Sequence, residues 1–600
     1  MSTLPKRAEI EEQYKWDLTQ YCVLNEQWKK EYDEIAKQIP SLKKYSGKLT
    51  NKETILEYFN IVRDLDQKLS VLAVYASCHR DEDVTNPEYQ KMLGLVENLY
   101  VEFSVITSFS QPQLSTLSDQ TLTQLMNEPS LKDYNRLIAS IIRDKKHILS
   151  EQEELIMEGV GAFSGGFSQN FTNFENGDLK FKKVQDKDGN KRPMSIIHAS
   201  DYLRDEDRVL RKNAYNELKG AYGRYNNFLY SNYLNNIKST CFSAKTYHYD
   251  SALDQALKNE EVTKQVYDNL ILSVNKHLQI DYDYFELKRK IMGLDKFAIY
   301  DIYYNPIPKP FKKISYNEAV DIVLSACQVL GEEYCDYLKT LLTSRCVDVL
   351  PNENKRSGAY STGAYGKPPL VLLNYGNKYD DVSTLAHEMG HSMHTYLSNK
   401  NQPYTKAGYT IFLAEIASTV NECLLNRLML SEAKTNQEKL YYINEFLSTF
   451  HATVFRQTMF AEYEQTMHNL YETNQALSAQ DFNNIYYDLV KKYFGPQVEC
   501  PESVKYEWSC IPHFYRDFYV YKYATGLISA IVIVNNIIKE GASARDKYIN
   551  FLSSGNSSDP ITLLKQAGVD LEDPKTFDLA FDYVKEYINL QNTILDKQKN

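Results

Sequence analysis

The sequence lacks the cysteine spacing of disulfide-framed proteins and of cysteine-based zinc sites. Its nine cysteines are an odd number, are scattered over 600 residues and include no Cys-x-x-Cys pair. Scattered, unpaired thiols are typical of proteins in a reducing compartment. We therefore expect reduced cysteines and a cytoplasmic protein.

Basic stripes and long apolar runs are also missing. The net charge is −11 and no stretch forms a basic arm, which argues against nucleic acid or an anionic membrane as a partner. The first residues, MSTLPKRAEIEEQYKWDL, hold no apolar segment of a signal peptide. The longest apolar run, residues 526–534, is too short to span a bilayer and predicts a buried helix ending at Gly541.

Helical periodicity dominates the rest of the chain. Similar apolar patterns fill 85–160, 200–300, 315–345, 435–500 and 570–595. The clearest apolar stripe recurs at steps of three and four and consists of Ile55, Phe59, Val62, Leu65, Leu69, Leu72 and Ala76. We predict a mostly α-helical protein of several domains or one multi-lobed unit.

One interruption of the helical pattern lies near residue 165. GVGAFSGGFSQNFTNF, residues 159–174, predicts a glycine-rich loop. The pair Asp188-Gly189 between alternating segments predicts a small hairpin. We place a domain boundary here, with an N-terminal helical domain over 1–195 and a second domain over 196–600.

A second interruption covers residues 354–381. SGAYSTGAYG is typical of a loop, and PLVLLNY predicts a short strand. As an edge strand it could bind an extended peptide by strand addition. The alternative is a buried structural strand.

The segment DVSTLAHEMGHSMHTYL, residues 381–397, is rich in histidine at helical spacing. It holds three of the 11 histidines. Asp380 and Asp381 are candidate N-caps, so we predict a helix here. Because steps of four and three residues separate the histidines, all three fall on one face of that helix.

Two of these histidines form the pattern H-E-x-x-H. His387 and His391 lie one turn apart and could bind one zinc ion, while Glu388 could take a proton from a water at the metal. The pattern also arises by chance, so a histidine-rich structural helix is the alternative. His394 is open between a residue that supports the ligands, a substrate-side residue and polar surface.

A catalytic zinc site needs a third protein ligand. The metzincin position for it is Leu397, which excludes that class. The next apolar helix carries Glu415, 28 residues after His387, and Glu422 two turns further on. Because buried carboxylates need partners, we predict Glu415 as the third ligand and Glu422 as acceptor for a ligand histidine. The alternative is two surface glutamates.

These residues resemble oligoendopeptidase F, of the thimet-oligopeptidase-like metallopeptidases. The similar runs are GAYGKPPLVLLNYGNKYDDVSTLAHEMGHSMHTYLSNKNQPYTKAGYTIFLAEIASTVNE, HFYRDFYVYKYATG and LSSGNSSDPITLLKQAGVD. The resemblance covers nearly the whole chain. It implies a two-lobed helical shell around a deep substrate channel, with a small β-sheet next to the HExxH helix and catalysis in residues 196–600.

The resemblance also implies the activity. It predicts a zinc-dependent endopeptidase, usually cytoplasmic, that cuts internal bonds of short unstructured peptides. One Zn²⁺ per chain would be held by His387, His391 and Glu415, with Glu388 as general base. A monomer and a homo-oligomer are both compatible with the sequence.

Further residues are implied by the same resemblance. PLVLLNY would align the substrate backbone and the loop 358–366 would close over it. The expected substrate contacts are Gly358, Ala359, Tyr360, Leu370, Val371 and His394.

The resemblance assigns the oxyanion to a segment near the C-terminus. His513 resembles the transition-state histidine of the family. Related enzymes pair two tyrosines three residues apart, and the match here is Phe518 with Tyr521. We therefore predict Tyr521, and secondly Tyr515, as the oxyanion donor.

Two other activities remain open. A peptidyl-dipeptidase or helical carboxypeptidase uses the same metal motif but anchors the substrate's C-terminal carboxylate on a fixed cation. A non-catalytic peptide-binding scaffold is the alternative of another class. Glu388 argues against the scaffold, because binding a metal requires no base.

Overall fold

The computed structural model describes residues 4–309 and 313–599. It is 72% helical with small sheets, which confirms the predicted mostly α class. Its α-helices, in chain order, are α1 Asn25–Gln38, α2 Lys52–Glu82, α3 Pro87–Thr107, α4 Ser110–Ser115, α5 Asp119–Met126, α6 Asn135–Asp144, α7 Glu151–Ser164, α8 Gly166–Asn173, α9 Ile196–Leu203, α10 Arg208–Gly223, α11 Asn226–Thr246, α12 Ala252–Asn259, α13 Lys264–Lys276, α14 Leu278–Ile291, α15 Tyr316–Cys327, α16 Glu332–Thr343, α17 Tyr379–Asn401, α18 Tyr404–Ala407, α19 Ile411–Glu432, α20 Asn436–Phe450, α21 Arg456–Glu472, α22 Ala479–Phe494, α23 Tyr521–Glu540, α24 Ala542–Leu552, α25 Pro560–Gln566 and α26 Pro574–Lys599.

The strands are all short. They are β1 Val184–Gln185, β2 Lys191–Arg192, β3 Phe297–Ala298, β4 Val347–Asp348, β5 Tyr360–Thr362, β6 Leu370–Leu372 and β7 Val498–Glu499. β1 pairs with β2, β3 pairs with β7, and the remaining three form one sheet.

The chain folds into two compact units, each assembled from three segments. The first unit comprises 1–151, 311–428 and 533–569, and the second comprises 152–310, 429–532 and 570–600. The first unit therefore contains the predicted metal ligands, and the second contains His513 and the predicted tyrosines. The predicted division into 1–195 and 196–600 stays a prediction.

In the first unit, the apolar stripe of α2 forms as its periodicity predicts. The helix begins after Asn51, whose side chain accepts a hydrogen bond from the Thr54 backbone N–H at 3.0 Å. Six of the seven stripe residues are buried, from Ile55 to Ala76. Val62 is the exception and remains partly exposed.

The three-stranded sheet has the order β4-β6-β5, which corrects one prediction. β6, within PLVLLNY, is parallel to β4 and antiparallel to β5, so it is the central strand and not an edge. The two edge strands are β4 and β5, and β5 lies inside the segment predicted to be only a loop. A run of apolar residues is equally compatible with a central strand, since both of its faces are then covered.

The N-terminal segment of the first unit packs on this sheet. The Tyr21 hydroxyl donates to the Pro368 carbonyl at 2.8 Å and accepts from the Ala364 N–H at 3.2 Å. Arg7 donates to the buried carboxylate of Asp348 at 2.9 Å. Residues at the start of the chain thus hold the base of the loop that follows β5.

In the second unit, the predicted hairpin forms and the predicted glycine-rich loop does not. β1 and β2 pair antiparallel, and Gly189 has a φ of +82° in the turn between them. Residues 159–164 lie instead in α7 and residues 166–173 in α8. No atom within 4 Å opposes a Cβ at Gly159 or Gly161, so their cost is the conformational entropy of a helical glycine, about 1 kcal/mol each.

A buried ion cluster lies in the core of the second unit. Glu507 is fully buried and accepts from Lys219 Nζ and Arg456 Nη2, each at 2.8 Å. Burial alone would raise the pKa of Glu507, but these two cations, together with the Tyr486 hydroxyl at 2.8 Å, lower it to about 2.

Helix α23 contains the longest apolar run of the chain. Among the described residues it is the one helix long and apolar enough to cross a membrane, yet 78% of its most apolar window is buried within the structure. A core helix passes the same test of length and composition. It ends at Gly541, which has a φ of +65°, so the predicted buried helix and its end are confirmed.

Candidate metal centre

The histidine helix α17 begins two residues before the predicted start. Its N-cap is Lys378 and not Asp380 or Asp381. The Asp381 carboxylate lies in the first turn and accepts from the Lys378 backbone N–H at 2.8 Å. Both aspartates therefore support the helix N-terminus from within the first turn, where negative charge is favourable.

Helices α17 and α19 approach each other closely at Gly390. A Cβ at this position would lie 2.6 Å from the Ala417 carbonyl oxygen and from the Ser418 Cα. Nearby, the Asn421 side-chain amide donates to the Ala386 carbonyl at 3.0 Å. Sequence reasoning missed both residues, although a lone glycine inside an apolar helix is a signal of close packing.

This contact brings three predicted ligands together. Nε2 of His387 lies 3.2 Å from Nε2 of His391 and 3.7 Å from Oε2 of Glu415. The distance from His391 Nε2 to the same carboxylate oxygen is 3.9 Å. One ligand atom from each of these three residues lies within 4.8 Å of the other two. Among the described His, Cys, Asp and Glu residues, this is the group that could hold a metal ion.

The spacing of the three atoms fits zinc. Tetrahedral ligands at about 2.0–2.1 Å from one ion are about 3.3 Å apart. The observed separations of 3.2–3.9 Å therefore need only small adjustments to hold it. Two imidazoles and one carboxylate, with one coordination position left over, are the donor set of a catalytic zinc site.

Both ligand histidines are held by a second contact. Nδ1 of His387 hydrogen-bonds to Glu422 Oε1, as predicted. Burial would lower the pKa of His387, but Glu422 raises it to about 9. His391 bonds to the backbone of Ala414, and burial together with neighbouring His387 lowers its pKa to about 3. These contacts orient the rings so that the two Nε2 atoms face each other.

Glu388 lies beside the ligands in a poorly hydrated position. Its side chain is 7% exposed, and among the described residues its Oε2 has no hydrogen-bond partner. Burial raises the pKa of Glu388 to about 7. A buried oxygen that is free to accept a proton is what the predicted general base requires.

The edge strand β5 lies against the histidine helix. The Ser361 hydroxyl is 2.9 Å from that of Ser392, one residue after the ligand His391. The Ser361 backbone also hydrogen-bonds to Glu388. The strand that could pair with an extended peptide is thus fixed next to the base.

Two predicted substrate contacts in the sheet need correction. Leu370 and Val371 are 0% and 1% exposed in the central strand β6, so they are core residues and cannot pair with a substrate. Tyr360 lies at the start of β5, where its hydroxyl donates to the buried Asp81 at 2.7 Å. The backbone of β5 replaces that of β6 as the candidate for strand addition.

His394 also differs from the prediction. It is 1% exposed and its ring stacks on that of Tyr409 at 3.6 Å, so it is neither surface nor a substrate contact. Burial lowers its pKa to about 3, which keeps it neutral. The third histidine of the helix therefore belongs to the core.

The loop before β5 is held at its glycine. Gly358 has a φ of +86°, and its carbonyl accepts from the Asn374 side-chain amide at 2.8 Å. Ala359 follows and is partly exposed. Their contact with substrate stays a prediction.

The residues predicted to stabilise the oxyanion lie in the second unit. Tyr521 is 1% exposed, and the Tyr515 hydroxyl accepts from the Asn232 amide at 3.0 Å. The hydroxyl of Tyr523, a tyrosine that was not selected from the sequence, lies 3.4 Å from Nε2 of His513. The catalytic roles of His513, Tyr521 and Tyr515 stay predictions.

Comparison with known proteins identifies related chains over the full length. The family model of Peptidase family M3 matches residues 202–583, and that of Oligopeptidase F matches 113–181. Oligopeptidase PepF of Bacillus subtilis is 37% identical, with 99% of this chain and 89% of the relative covered. Group B oligopeptidase PepB of Streptococcus agalactiae is 35% identical, with 98% of each chain covered.

Solved structures are also similar to this chain over nearly its full length. A crystal structure from Chlamydophila abortus has a TM-score of 0.94 at 35% identity and covers 99% of this chain and all of its own. Oligoendopeptidase-F from Enterococcus faecium has a TM-score of 0.74 at 30% identity, and the match covers 96% of this chain and 99% of that structure's chain. With the converging His387, His391 and Glu415, these matches show that the chain belongs to Peptidase family M3 and is a metallopeptidase of its oligopeptidase F group.

Proposed function

We propose that this metallopeptidase hydrolyses internal peptide bonds of short, unstructured peptides with one Zn²⁺ per chain. The observation that carries the proposal is the convergence of His387, His391 and Glu415 beside the buried carboxylate of Glu388. Relatives named oligopeptidase and oligoendopeptidase support peptides as the substrates. We also propose the deep channel that the resemblance implies, because a narrow channel would exclude folded proteins.

The chemistry divides between the metal and the chain. Zinc, when bound, supplies a Lewis acid that polarises the scissile carbonyl and acidifies water. His387 and His391 offer their Nε2 atoms to it, and Glu422 keeps the first ring oriented. The chain must supply the proton transfers.

Glu388 is the residue to which we assign those proton transfers. Its free oxygen accepts the proton of the attacking water, and the same oxygen then delivers it to the leaving amine. Ser361 holds the carboxylate through its backbone. No covalent bond between enzyme and substrate is formed in this scheme.

Strand β5 is the element to which we assign the alignment of the substrate. It is one of the two terminal strands of its sheet, and the Ser361 hydroxyl contacts the helix of the metal ligands. An extended peptide that adds to this strand would be bound through main-chain hydrogen bonds, so most of its side-chain positions would be unrestricted.

An internally quenched peptide with both ends blocked tests the proposal. Wild type should cleave it internally, lose activity to a chelator and regain it with zinc. Glu388→Gln should be inactive while still holding one zinc ion. Cleavage that survives chelation or the substitution would overturn the proposal. Cleavage only after a free C-terminus is restored would instead support a peptidyl-dipeptidase or carboxypeptidase.

A further inference from the structure

A cavity in the first unit lies near the helix that carries two of the metal ligands. It has a volume of about 620 Å³, and its walls come from α2, Tyr134 and Leu137 at the start of α6, the loop after β5, α17 and residues 404–409. Thr395, in its wall, follows His391 by one turn of α17, which is about 6 Å along the helix axis. Gly363, also in the wall, directly follows the edge strand β5.

The cavity is lined by aromatic rings from four parts of the unit. The Tyr365 and Tyr404 rings meet edge to face at 5.4 Å, and the Tyr409 hydroxyl lies 2.8 Å from that of Thr395. The aromatic lining residues are Phe59, Tyr134, Tyr365, Tyr404 and Tyr409. Such walls favour a flat apolar group, because ring pairs add attraction beyond the area they bury.

The charged lining residues already have partners. Arg63 donates to Asp64 through Nε and Nη2, and to Asn60 and Tyr134 through Nη1. Asp66 accepts from the Tyr404 hydroxyl at 2.8 Å. A carboxylate in the cavity would therefore compete with existing bonds of Arg63, whereas an uncharged ring would not.

One wall position marks where the occupant would sit. Val62 belongs to the apolar stripe of α2, yet it is the stripe residue that is not buried, and it faces this cavity. A partly exposed apolar side chain is stabilised when an apolar group of a ligand covers it.

We propose that this cavity is a specificity pocket that takes one aromatic side chain of the peptide substrate. Since an extended chain advances about 3.3 Å per residue, a wall about 6 Å beyond the ligand His391 places that side chain two or three residues from the hydrolysed bond. The volume lies within the usual range of ligand sites, about 300–1,000 Å³. The inference rests on the proposed endopeptidase activity and adds a substrate preference to it.

The test uses a set of internally quenched, end-blocked peptides. Each carries Phe, Gly or Asp at one position, from the third residue before the bond to the third after it. Wild type should prefer Phe over Gly by about 10–100-fold in kcat/KM at one position, two or three residues from the bond. Asp at that position should be cleaved no faster than Gly.

Two variants connect the preference to the cavity. Val62→Trp fills it from α2 and Leu137→Trp fills it from α6. Each should lower kcat/KM for the Phe peptide to the value for the Gly peptide, which abolishes the Phe preference. Val105→Trp, at a valine that is 68% exposed on α3, is the matched control and should keep the preference.

The outcomes separate this proposal from the function on which it rests. Equal cleavage of the Phe and Gly peptides at every position, or a Phe preference that both cavity variants retain, overturns the pocket and leaves the endopeptidase intact. A preference for Asp or for a free C-terminal carboxylate at that position overturns it in favour of an anion site. If zinc-loaded wild type cleaves no peptide, both proposals fail. Thermal unfolding of each variant shows whether it is folded.

Discussion

Replacement of Gly390 by alanine should separate the two helices that carry the metal ligands. The added Cβ would lie 2.6 Å from the Ala417 carbonyl oxygen and the Ser418 Cα, whereas carbon atoms in contact are about 3.5–4.0 Å from their neighbours. The opposing atoms are backbone and cannot rotate away. The helices must therefore move apart by about 1 Å.

A shift of this size acts directly on the ligands. Glu415 lies two residues before Ala417 on the displaced helix, while its partners His387 and His391 are on the other helix. A displacement of about 1 Å can cost about 10²-fold in rate, so we expect kcat/KM to fall by about that factor. The overpacked contact should also lower the free energy of unfolding by about 1–3 kcal/mol.

The assay compares Gly390→Ala with a glycine that has room. Gly94 lies within α3 with no atom within 4 Å of an added Cβ, so Gly94→Ala should keep full activity and gain about 0.5–1 kcal/mol of stability. Zinc affinity by chelator competition, kcat/KM and denaturant unfolding would be measured for both. If Gly390→Ala binds zinc and cleaves peptides as wild type does, the close helix contact is not what positions the ligands.

Three other substitutions examine the support of a ligand, a buried ion cluster and the oxyanion side of the reaction. Glu422→Gln should weaken zinc binding by about 10–100-fold, since it removes the charge that orients His387; unchanged affinity in chelator competition would contradict this. The carboxylate of Glu507, with a pKa of about 2 against an ordinary 4.5, stabilises the fold above pH 4.5, and this contribution of about 3 kcal/mol is lost as the pH falls toward 2. Unfolding of wild type at several pH values should show that loss, and Glu507→Gln, less stable at neutral pH, should lack it. His513→Ala should lower kcat by about 10²–10³-fold at unchanged zinc content. A change in KM with kcat unchanged would refute its predicted role.

The metal ligands could be predicted because the spacing of neighbouring residues along a helix determines which side chains share a face. Two histidines four residues apart must share a helix face, and Glu415 stood out as a carboxylate inside an apolar stripe. The stripe of α2 was predictable for the same reason, since burial follows a period of 3.6 residues. These features depend on one helix at a time.

The incorrect predictions depended on neighbours that are distant in sequence. PLVLLNY reads the same as a central or an edge strand, and only its pairing with β4 on one side and β5 on the other distinguishes them. His394 shares a face with the ligand histidines, but Tyr409 covers it. The glycines of 159–174 favour a loop locally, whereas in the structure Gly159 and Gly161 lie within helix α7. Tertiary contacts decide each case.

The packing of the N-terminal segment on the three-stranded sheet also constrains the order of assembly. Arg7 and Tyr21 find their partners in residues synthesised 341 and 347 positions later. At about 5–20 residues per second, a nascent chain waits about 20–70 s before those contacts exist. The unit with the metal ligands is completed later still, by residues 533–569. The unit that holds the metal ligands therefore forms only after residues 533–569 have been synthesised, so we expect peptide hydrolysis to begin no earlier than that point.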